Sequence, residues 1–477
     1  MRCFVLFFDS VLKYFYEISA IPRPSYHEDK IADYLVSFAN MHSLEVLRDS
    51  AHNVLIRKAA SADMTDAPAV LLQGHTDMVC EKNGDCDHDF SAEGIKILRD
   101  GDLLYADGTT LGADNGYAVA TMLAILTDNT ISHPALECLF TSAEEVGLDG
   151  MRAVDPDWIR ARMMINLDSC DEKCATAACA GGVRTNFDRS PSAVAYTGKA
   201  VRVFVTGLCG GHSGEDIDRC RANALKIGAR LYCALSETQD VHLISAHGGN
   251  KDNAIPRECE LVIAASHPQA AVETVNAQAA VIASELCRDD AEFRVDTSII
   301  DFAGNRLSDS DEDAVISLLR IVPCGPLAMS ADLPGLVETS SNTAVINADA
   351  HSIHIVASSR SSVESKLDDV CGIMEKCGAV SGFTVTHKSR YPGWKFRTDS
   401  SIQSVYKESS KACFGEEGKI IGIHAGLECG LLSEKIPEMD MLSIGPNMYD
   451  IHTPKERLSL SSAARVCDLV LDMLKRI

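Results

Sequence analysis

The stretch of residues 70–80, VLLQGHTDMVC, constrains the fold of this chain more than any other. Its first three residues predict a short buried strand, and Gly74 ends the apolar run. His75 and Asp77 follow where the strand meets solvent, and both project to one side because strand side chains alternate. The carboxylate could hold the second nitrogen of a metal-binding imidazole, or both groups could face one site. The triplet alone is a weak indication of chemistry.

Further acidic and histidine residues follow segments of the same kind. They are Asp114 in the glycine-bracketed loop LGADNG, Glu144 and Glu145 after the apolar run LECLF, Asp168 at the end of MMINLD, and His452 in YDIHTPKE. Separate segments therefore supply a set of potential ligands. Two imidazoles and three carboxylates suit a pair of zinc-like ions, with one carboxylate spanning both.

Strand-like and helix-like patterns alternate through the first part of the chain. Strands are predicted at residues 53–57, 69–73, 136–142 and 163–167, with a helix at 116–126. The sequence SYHE at residues 25–28 predicts a capping box at the start of a helix, with Ile31, Leu35 and Phe38 on the buried face of that helix. The alternation predicts an α/β layer structure with a mostly parallel sheet. In such sheets ligands gather at the carboxyl ends of the strands, where His75, Glu145 and Asp168 fall.

The length of 477 residues exceeds what one hydrophobic core usually holds, so two domains are expected. From about residue 200 the chain alternates strands with helices such as residues 269–288, and YPGW at residues 391–394 is the expected return crossing. We predict a catalytic domain of residues 1–185 and 392–477, interrupted by an α+β domain of residues 186–391. The insertion divides into two βα halves, but no strict period is visible, so duplication is a hypothesis.

The charge and cysteine content limit the partners and the compartment. The formal charge is 44 − 68 = −24, which opposes binding to nucleic acid or to an anionic membrane. No apolar run approaches the roughly 20 residues of a membrane span, and the start of the chain is a poor signal peptide. The 18 cysteines fall below the density of a disulfide scaffold. We expect reduced thiols and a cytoplasmic protein.

Eight short motifs lie in order along the chain: GHTDMVCEKN, DGTTLGADNG, TSAEEVGLDG, INLDS, GGHSG, NAIPRE, HAGLECG and IHTPKERLS. Through them the chain resembles the aminoacyl-histidine dipeptidases, also called Xaa-His or cytosol non-specific dipeptidases. These belong to the larger clan of di-zinc aminoacylases and carboxypeptidases. The resemblance covers essentially the whole chain.

The resemblance implies an architecture and a cofactor. It implies a zinc-peptidase catalytic domain, whose mostly parallel mixed sheet is flanked by helices, and an inserted α+β lid of double size. Such a lid lets one subunit supply both sides of its own site, so a monomer or a homodimer is expected. The implied cofactor is two divalent metal ions, Zn²⁺ first, with Co²⁺ or Mn²⁺ able to share the ligand set.

The resemblance also assigns roles to individual residues. Asp114 suits a bridge between two ions because a carboxylate has two oxygens. By the resemblance, His75 and Asp168 bind one metal ion, and Glu145 and His452 bind the other. Glu144 is then the general base, and Asp77 orients the imidazole of His75. In the inserted domain, His212 of GGHSG donates to the oxyanion, and Asn253 and Arg360 bind the carboxylate of the substrate. Each residue has an ordinary alternative, such as a turn former, a helix cap or a surface side chain. For Arg360 that alternative is an ion pair with Glu364, four residues on.

The expected activity is release of the N-terminal residue of a dipeptide, with Xaa-His substrates such as β-alanyl-histidine included. The enzymatic alternatives are a tripeptidase, a carboxypeptidase or an N-deacylase of the same clan. A non-catalytic metal-dependent binding protein is the alternative from another class. Such a protein should have lost Glu144 or a ligand, whereas the sequence retains them all. The absence of G-x-S-x-G, Walker A and G-x-G-x-x-G motifs disfavours serine hydrolases and nucleotide binding.

Overall fold

The computed structural model describes residues 2–477, with side chains described from residue 7 onward. The chain forms two compact units. The first comprises Met1–Ala178, Phe396–Gly422 and Leu427–Ile477, and the second comprises Cys179–Lys395 and Ile423–Gly426. The second unit therefore interrupts the first in the sequence, and the chain enters it a second time for four residues.

An eight-stranded sheet forms the centre of the first unit. In order across the sheet, its strands are Glu45–Arg48, Val54–Lys58, Leu136–Thr141, Val70–His75, Met163–Asn166, Asp440–Ser443, Cys174–Cys179 and Lys419–Ile423. The third to sixth strands in this order run parallel to one another, whereas the first three pair antiparallel. Strands of a central parallel sheet are covered on both faces, which explains their continuous apolar runs. The predicted α/β class with a mixed sheet is confirmed.

Helices flank this sheet. They are Arg2–Ser19, Asp29–Met41, Ala113–Thr127, Asp149–Ala153, Ser401–Phe414, Glu428–Lys435 and Leu460–Arg476, with a 3₁₀ turn at Pro156–Trp158. The helix Ala113–Thr127 is buried from its first residue to Leu126. A helix that is apolar all round belongs in an interior, and this one begins within the loop that carries Asp114.

A small four-stranded sheet fixes the segment around His452. Its strands, in order, are Met448–Tyr449, Arg457–Ser459, Leu103–Ala106 and Ile97–Asp100. Met448 pairs with Leu458, and Leu458 pairs with Leu104. His452 therefore lies in a hairpin that is tied to the first half of the chain.

The predicted capping box at residues 25–28 is wrong. The helix follows it as predicted, with Ile31, Leu35 and Phe38 buried, but its N-cap is Glu28 and no side chain caps it. The hydroxyl of Ser25 instead donates to Asp77 Oδ2 at 2.7 Å. The local spacing predicted that Ser25 caps the helix, but its hydroxyl forms a tertiary hydrogen bond with the Asp77 carboxylate instead.

The second unit contains a nine-stranded antiparallel sheet. Eight strands follow the order Arg294–Leu307, Ala193–Thr206, Cys259–Ala265, Val241–Gly248, Val337–Ala348, Ile353–Ser361, Gly181–Arg189 and Thr384–Tyr391, and Gly325–Met329 pairs with the fifth. Its helices are Ala224–Ser236, Pro268–Ala283, Asp309–Ile321 and Glu364–Val380, with a 3₁₀ turn at Arg288–Asp290. The expected domain boundary at residue 186 falls inside a strand that lies wholly in this unit.

The core of the second unit follows from alternation along its strands. Val201, Val203 and Val205 point to one face and are fully buried with Leu231 and Leu235 of a covering helix. Burying side chains of this size contributes about 1.5–3 kcal/mol each. The sheet is thereby a firm support for the loops at its edge.

The sequence predicts neither a membrane-spanning segment nor a disulfide framework. Across residues 2–477, the helices include none that is both long enough and apolar enough to cross a bilayer. The cysteine side chains from residue 7 onward form no disulfide bond.

Candidate active site

Predicted site residues of the first unit lie where three neighbouring parallel strands end. His75 is the last residue of one strand, Glu144 and Glu145 follow shortly after the next, and Asp168 comes two residues after a third. Because parallel strands end at the same edge of a sheet, these side chains come together there. Asp114 joins them from the start of the buried helix.

Asp114 lies between two histidines. Its Oδ1 is 3.2 Å from His75 Nε2, and its Oδ2 is 3.2 Å from His452 Nε2. Asp168 Oδ1 is 3.7 Å from His75 Nε2, and Glu145 Oε2 is 3.1 Å from His452 Nε2. The five side chains therefore form two groups that share Asp114.

The spacing of these groups fits metal binding. Zinc bonds of about 2.0–2.1 Å in a tetrahedron place neighbouring ligand atoms about 3.3 Å apart. The separations between His75 or His452 and the carboxylates lie close to that value. Ligand atoms of His75, Asp114 and Glu145 also lie within 4.8 Å of one another. The residues present thus suit two adjacent divalent ions with one carboxylate between them.

The electrostatics of the site call for positive charge. Hydrogen bonds to Asp114 and Glu145 raise the pKa of His452 to about 10. Burial would raise the pKa of Asp114, but hydrogen bonds from both imidazoles outweigh it and hold that pKa well below its usual range. Burial raises the pKa of Asp168, although His75 opposes the rise. Divalent cations can replace the protons that these carboxylates hold on the imidazoles.

Asp77 holds two parts of the site at once. Its Oδ1 is 3.3 Å from His75 Nδ1, and its two oxygens accept the backbone N–H groups of Glu144 and Glu145 at 3.1 and 3.2 Å. Burial alone would raise the pKa of Asp77, but hydrogen bonds from His75 and Ser25 outweigh it and lower that pKa. Asp77 therefore orients an imidazole and also the loop that carries two acidic residues.

The environment of Glu144 suits proton transfer. Burial raises the pKa of Glu144 to about 8; the charge of His75 opposes this rise, and those of Glu145 and Glu428 add to it. A general base works best when its pKa is near the operating pH. Glu145, by contrast, faces His452.

Glu456 fixes the loop that carries Asp114, and the sequence analysis missed it. Its carboxylate is 2% exposed and accepts four successive backbone N–H groups, those of Leu111, Gly112, Ala113 and Asp114, at 2.8, 3.0, 2.8 and 3.3 Å. A carboxylate at the first N–H groups of a helix satisfies donors that have no intrahelical partner. Glu456 lies four residues after His452, inside a motif already quoted, which was the available signal.

Arg23 and Asn115 connect the remaining segments. Arg23 is 2% exposed and donates to the carbonyls of Thr76 and Gly112 at 2.9 and 2.6 Å. Asn115 accepts the N–H of His75 at 3.2 Å and donates to the carbonyl of Leu167 at 2.9 Å. Their partners are backbone groups distant in sequence, so no spacing pattern could have indicated them.

His212 belongs to the second unit, where its ring orientation is fixed. The N–H groups of Gly214 and Glu215 donate to His212 Nδ1 at 3.3 and 3.1 Å. Burial and the charge of Arg360 lower the pKa of His212. A neutral imidazole that accepts at Nδ1 carries its proton on Nε2, so His212 presents an N–H donor there.

Asn253 lies beside His212. The two-residue strands Gly211–His212 and Ala254–Ile255 pair, and the N–H of Ser213 donates to the carbonyl of Asn253 at 2.9 Å. The structure therefore brings together two predicted residues that are some forty positions apart in the sequence.

Arg360 is 7% exposed, and its Nη1 donates to Tyr391 Oη at 2.8 Å. Within the described chain, no carboxylate lies at ion-pair distance from it, and its Nε has no hydrogen-bond partner. Glu364, the alternative partner, instead contacts Arg390 at 2.9 Å and the N–H of Gly393 at 2.8 Å. Arg360 thus remains a buried cation that is available to an anion.

His424 lies near Arg360 and His212, and it was not predicted as a site residue. It is 6% exposed, and its Nε2 lies 2.7 Å from Ser340 Oγ. Burial, together with the charges of Arg360 and His212, lowers the pKa of His424 to about 3. It lies in the HAGLECG motif, in the four-residue return to the second unit.

Comparison with known proteins covers nearly the whole chain. The model of peptidase family M20/M25/M40 matches residues 71–476. The cytosol non-specific dipeptidase of Escherichia coli is 36% identical over 470 residues, which are 97% of this chain and 96% of that protein. The crystal structure of aminoacylhistidine dipeptidase from Vibrio alginolyticus matches with a TM-score of 0.93 and 32% identity, covering 98% and 96% of the two chains. Aminopeptidase PepT from Bacillus cereus, at a TM-score of 0.58, 15% identity and 98% coverage of each chain, shares the fold.

Proposed function

This chain belongs to peptidase family M20/M25/M40, and from that membership we propose that it is a metal-dependent dipeptidase. The observation that carries the proposal is Asp114, whose two oxygens each face a different imidazole at 3.2 Å. One carboxylate between two sets of ligands is the arrangement that a pair of divalent ions requires.

The proposed ligands form two sets around Asp114. His75 and Asp168 would hold one ion, and Glu145 and His452 would hold the other, with Zn²⁺ as the first candidate and Co²⁺ or Mn²⁺ as alternatives. When bound, such ions supply an activated water and polarise the carbonyl of the scissile bond.

Glu144 is proposed as the general base and proton carrier. It takes a proton from the attacking water and delivers it to the amine of the leaving residue. The raised pKa of Glu144, about 8, supports this role. Asp77 keeps His75 and the Glu144 backbone in place, so we treat it as a positioning residue.

The second unit is proposed to recognise the substrate. The Nε2–H of His212 suits an oxyanion donor, and the unpaired guanidinium of Arg360 suits the free carboxylate of a dipeptide. Asn253 is assigned to that carboxylate by the resemblance alone. These three roles stay predictions, as do a cytoplasmic location and a monomeric or homodimeric state.

Hydrolysis of a peptide panel tests the proposed function. The protein is freed of metal with a chelator, reloaded with Zn²⁺, Co²⁺ or Mn²⁺, and given Xaa-His and other dipeptides, tripeptides and N-acyl amino acids. We expect metal-dependent release of the N-terminal residue from dipeptides, with β-alanyl-histidine as the first substrate to test. Faster turnover of tripeptides or acyl amino acids would favour the enzymatic alternatives, and no turnover on any of them would refute the enzyme.

Arg360→Ala tests recognition of the substrate carboxylate. Leaving a buried charge without its partner costs about 2–5 kcal/mol, so kcat/KM on free dipeptides should fall about 30-fold or more. C-terminally amidated dipeptides, which the parent should cleave poorly, should lose little. Measurement of kcat/KM on both substrate series separates the two cases.

Arg202→Ala is the matched control. Arg202 is a half-exposed arginine of another strand in the same sheet and pairs with Glu260 on the surface, so its loss should leave kcat/KM unchanged. Equal losses on free and amidated dipeptides in the Arg360 variant would mean that Arg360 only supports the fold.

A further inference from the structure

A row of buried polar side chains crosses the parallel sheet of the first unit. Gln73 pairs with Asn166, and Asn166 pairs with Ser443, in register across three neighbouring strands. All three residues are fully buried. The centre of a parallel sheet normally holds aliphatic residues, because burying polar groups is costly unless each has a partner. The presence of three buried polar side chains at the centre of this sheet therefore requires an explanation.

The hydrogen bonds of the row run in one direction. The N–H of Asp168 donates to Asn166 Oδ1 at 3.1 Å, which fixes the orientation of that amide because a backbone N–H can only donate. Asn166 Nδ2 must then donate to Gln73 Oε1, at 2.5 Å, and Gln73 Nε2 donates onward to Glu428 Oε2, at 2.5 Å. Ser443 also donates to Asn166 Oδ1 at 2.5 Å. The row ends on a carboxylate.

Glu428 is fully buried at the first residue of the helix Glu428–Lys435. Its Oε2 also accepts the hydroxyl of Thr141 at 2.8 Å. In the described part of the chain its Oε1 has no hydrogen-bond partner, and no cationic side chain forms an ion pair with it. Burial raises the pKa of Glu428 to about 7, although the charge of His75 opposes the rise, so a nearby positive charge would favour the ionised carboxylate.

Gln73 and Asn166 of this row each come two residues before a proposed metal ligand in the sequence. Gln73 and His75 are two residues apart on one strand, so their side chains project from the same face, and Asn166 is the last residue of its strand, two residues before Asp168. Two residues of strand span about 7 Å. The carboxylate of Glu428 is therefore just beneath the ligands, and too deeply buried to meet solvent.

We propose that Glu428 is a positioning residue of the metal centre: it binds no ion, but its negative charge strengthens the binding of both ions, and the row that ends on it orients the strand ends carrying His75 and Asp168. This inference rests on the proposed function, because it assumes that the five ligands hold divalent ions. It explains why four neutral donors and a carboxylate occupy a place where aliphatic side chains would pack equally well.

Glu428→Gln tests the role of the charge. Glutamine keeps the size of the side chain and an oxygen that can accept from Gln73 and Thr141, but it removes the negative charge. The metal-free variant is titrated with Zn²⁺ against a chromophoric chelator, and its Co²⁺ form is examined by visible absorption. Loss of a group that supports metal ligands typically weakens metal binding about 10–100-fold, so we expect the Kd for Zn²⁺ to rise by that factor.

Glu137→Gln is the matched control. Glu137 is a buried acid in a strand of the same sheet, at the end away from the ligands, where it accepts from Arg57 at 2.9 Å. Its loss should lower the melting temperature and leave the Kd for Zn²⁺ unchanged. Thermal unfolding of both metal-free variants separates metal affinity from general stability.

Two outcomes would overturn the inference. One is a Glu428→Gln variant that binds Zn²⁺ as tightly as the parent and gives the same Co²⁺ spectrum. If that variant does not fold, Gln73→Met breaks the row between Asn166 and Glu428, and parent-like Zn²⁺ affinity in that variant would contradict the proposed role of the row. Failure of the parent itself to bind about two ions per chain would instead refute the proposed function.

Discussion

Replacement of Glu144 with glutamine is expected to lower kcat by about 10²–10⁴-fold while metal binding stays at the parent level. Glutamine has nearly the same shape but cannot accept the proton of the attacking water. Burial also raises the pKa of this side chain to about 8, which suits proton exchange near neutrality. Steady-state kinetics on a dipeptide, together with metal analysis of the same preparation, measure both quantities.

Glu145→Gln is the matched comparison, since it changes the neighbouring residue in the same way. Glu145 Oε2 lies 3.1 Å from His452 Nε2, so this variant should lose metal and activity together. If the Glu144 variant proved to be the metal-poor one and the Glu145 variant kept both ions, the roles of the two residues would have to be exchanged.

Asp114→Ala is expected to abolish activity and to reduce the metal content from about two ions per chain to below one. Asp114 places one oxygen near the histidine of each proposed ligand set, so its loss should weaken both sets at once. His452→Ala removes a proposed ligand from one set and should leave the other ion bound. Metal analysis after dialysis, with activity measured alongside, distinguishes the two patterns.

Asp102→Ala serves as the control for Asp114. Asp102 lies in the same unit and accepts from Ser459 at 2.7 Å and Ser461 at 2.8 Å, away from the ligands. It should keep both ions and full activity. An Asp114→Ala protein that still binds two ions would show that this carboxylate does not bridge them.

Much of the first unit could be predicted because its signals are local. The predicted strand at residues 136–142 is observed as Leu136–Thr141, and the predicted helix at 116–126 lies within Ala113–Thr127. Continuous apolar runs between turn residues identify buried strands without knowledge of the fold. The family was predicted correctly because its motifs carry the residues at the ends of those strands.

Other features could not be predicted because their partners are distant. Glu428 meets Gln73 across 355 positions, and Glu456 meets Leu111 across 345, so no spacing rule connects them. The same holds for Ser25, whose local sequence predicts a helix cap although its hydroxyl contacts Asp77. In the second unit, the sequence of the strand Val337–Ala348 lacks the apolar alternation that indicates a strand, because serine, threonine and asparagine fill its centre.

The position of the strand Asp440–Ser443 has a consequence for synthesis on the ribosome. This strand lies between Met163–Asn166 and Cys174–Cys179 in the sheet. Those two strands are synthesised long before it, so they cannot be bridged until the strand Asp440–Ser443 has been made. The second unit is complete once residue 426 has emerged, whereas the first still lacks an inner strand, His452 and Glu456. A growing chain therefore carries a complete second unit and a first unit with a gap in its sheet while residues 427–477 are being made. Chaperones that shield exposed sheet surface would act in that interval.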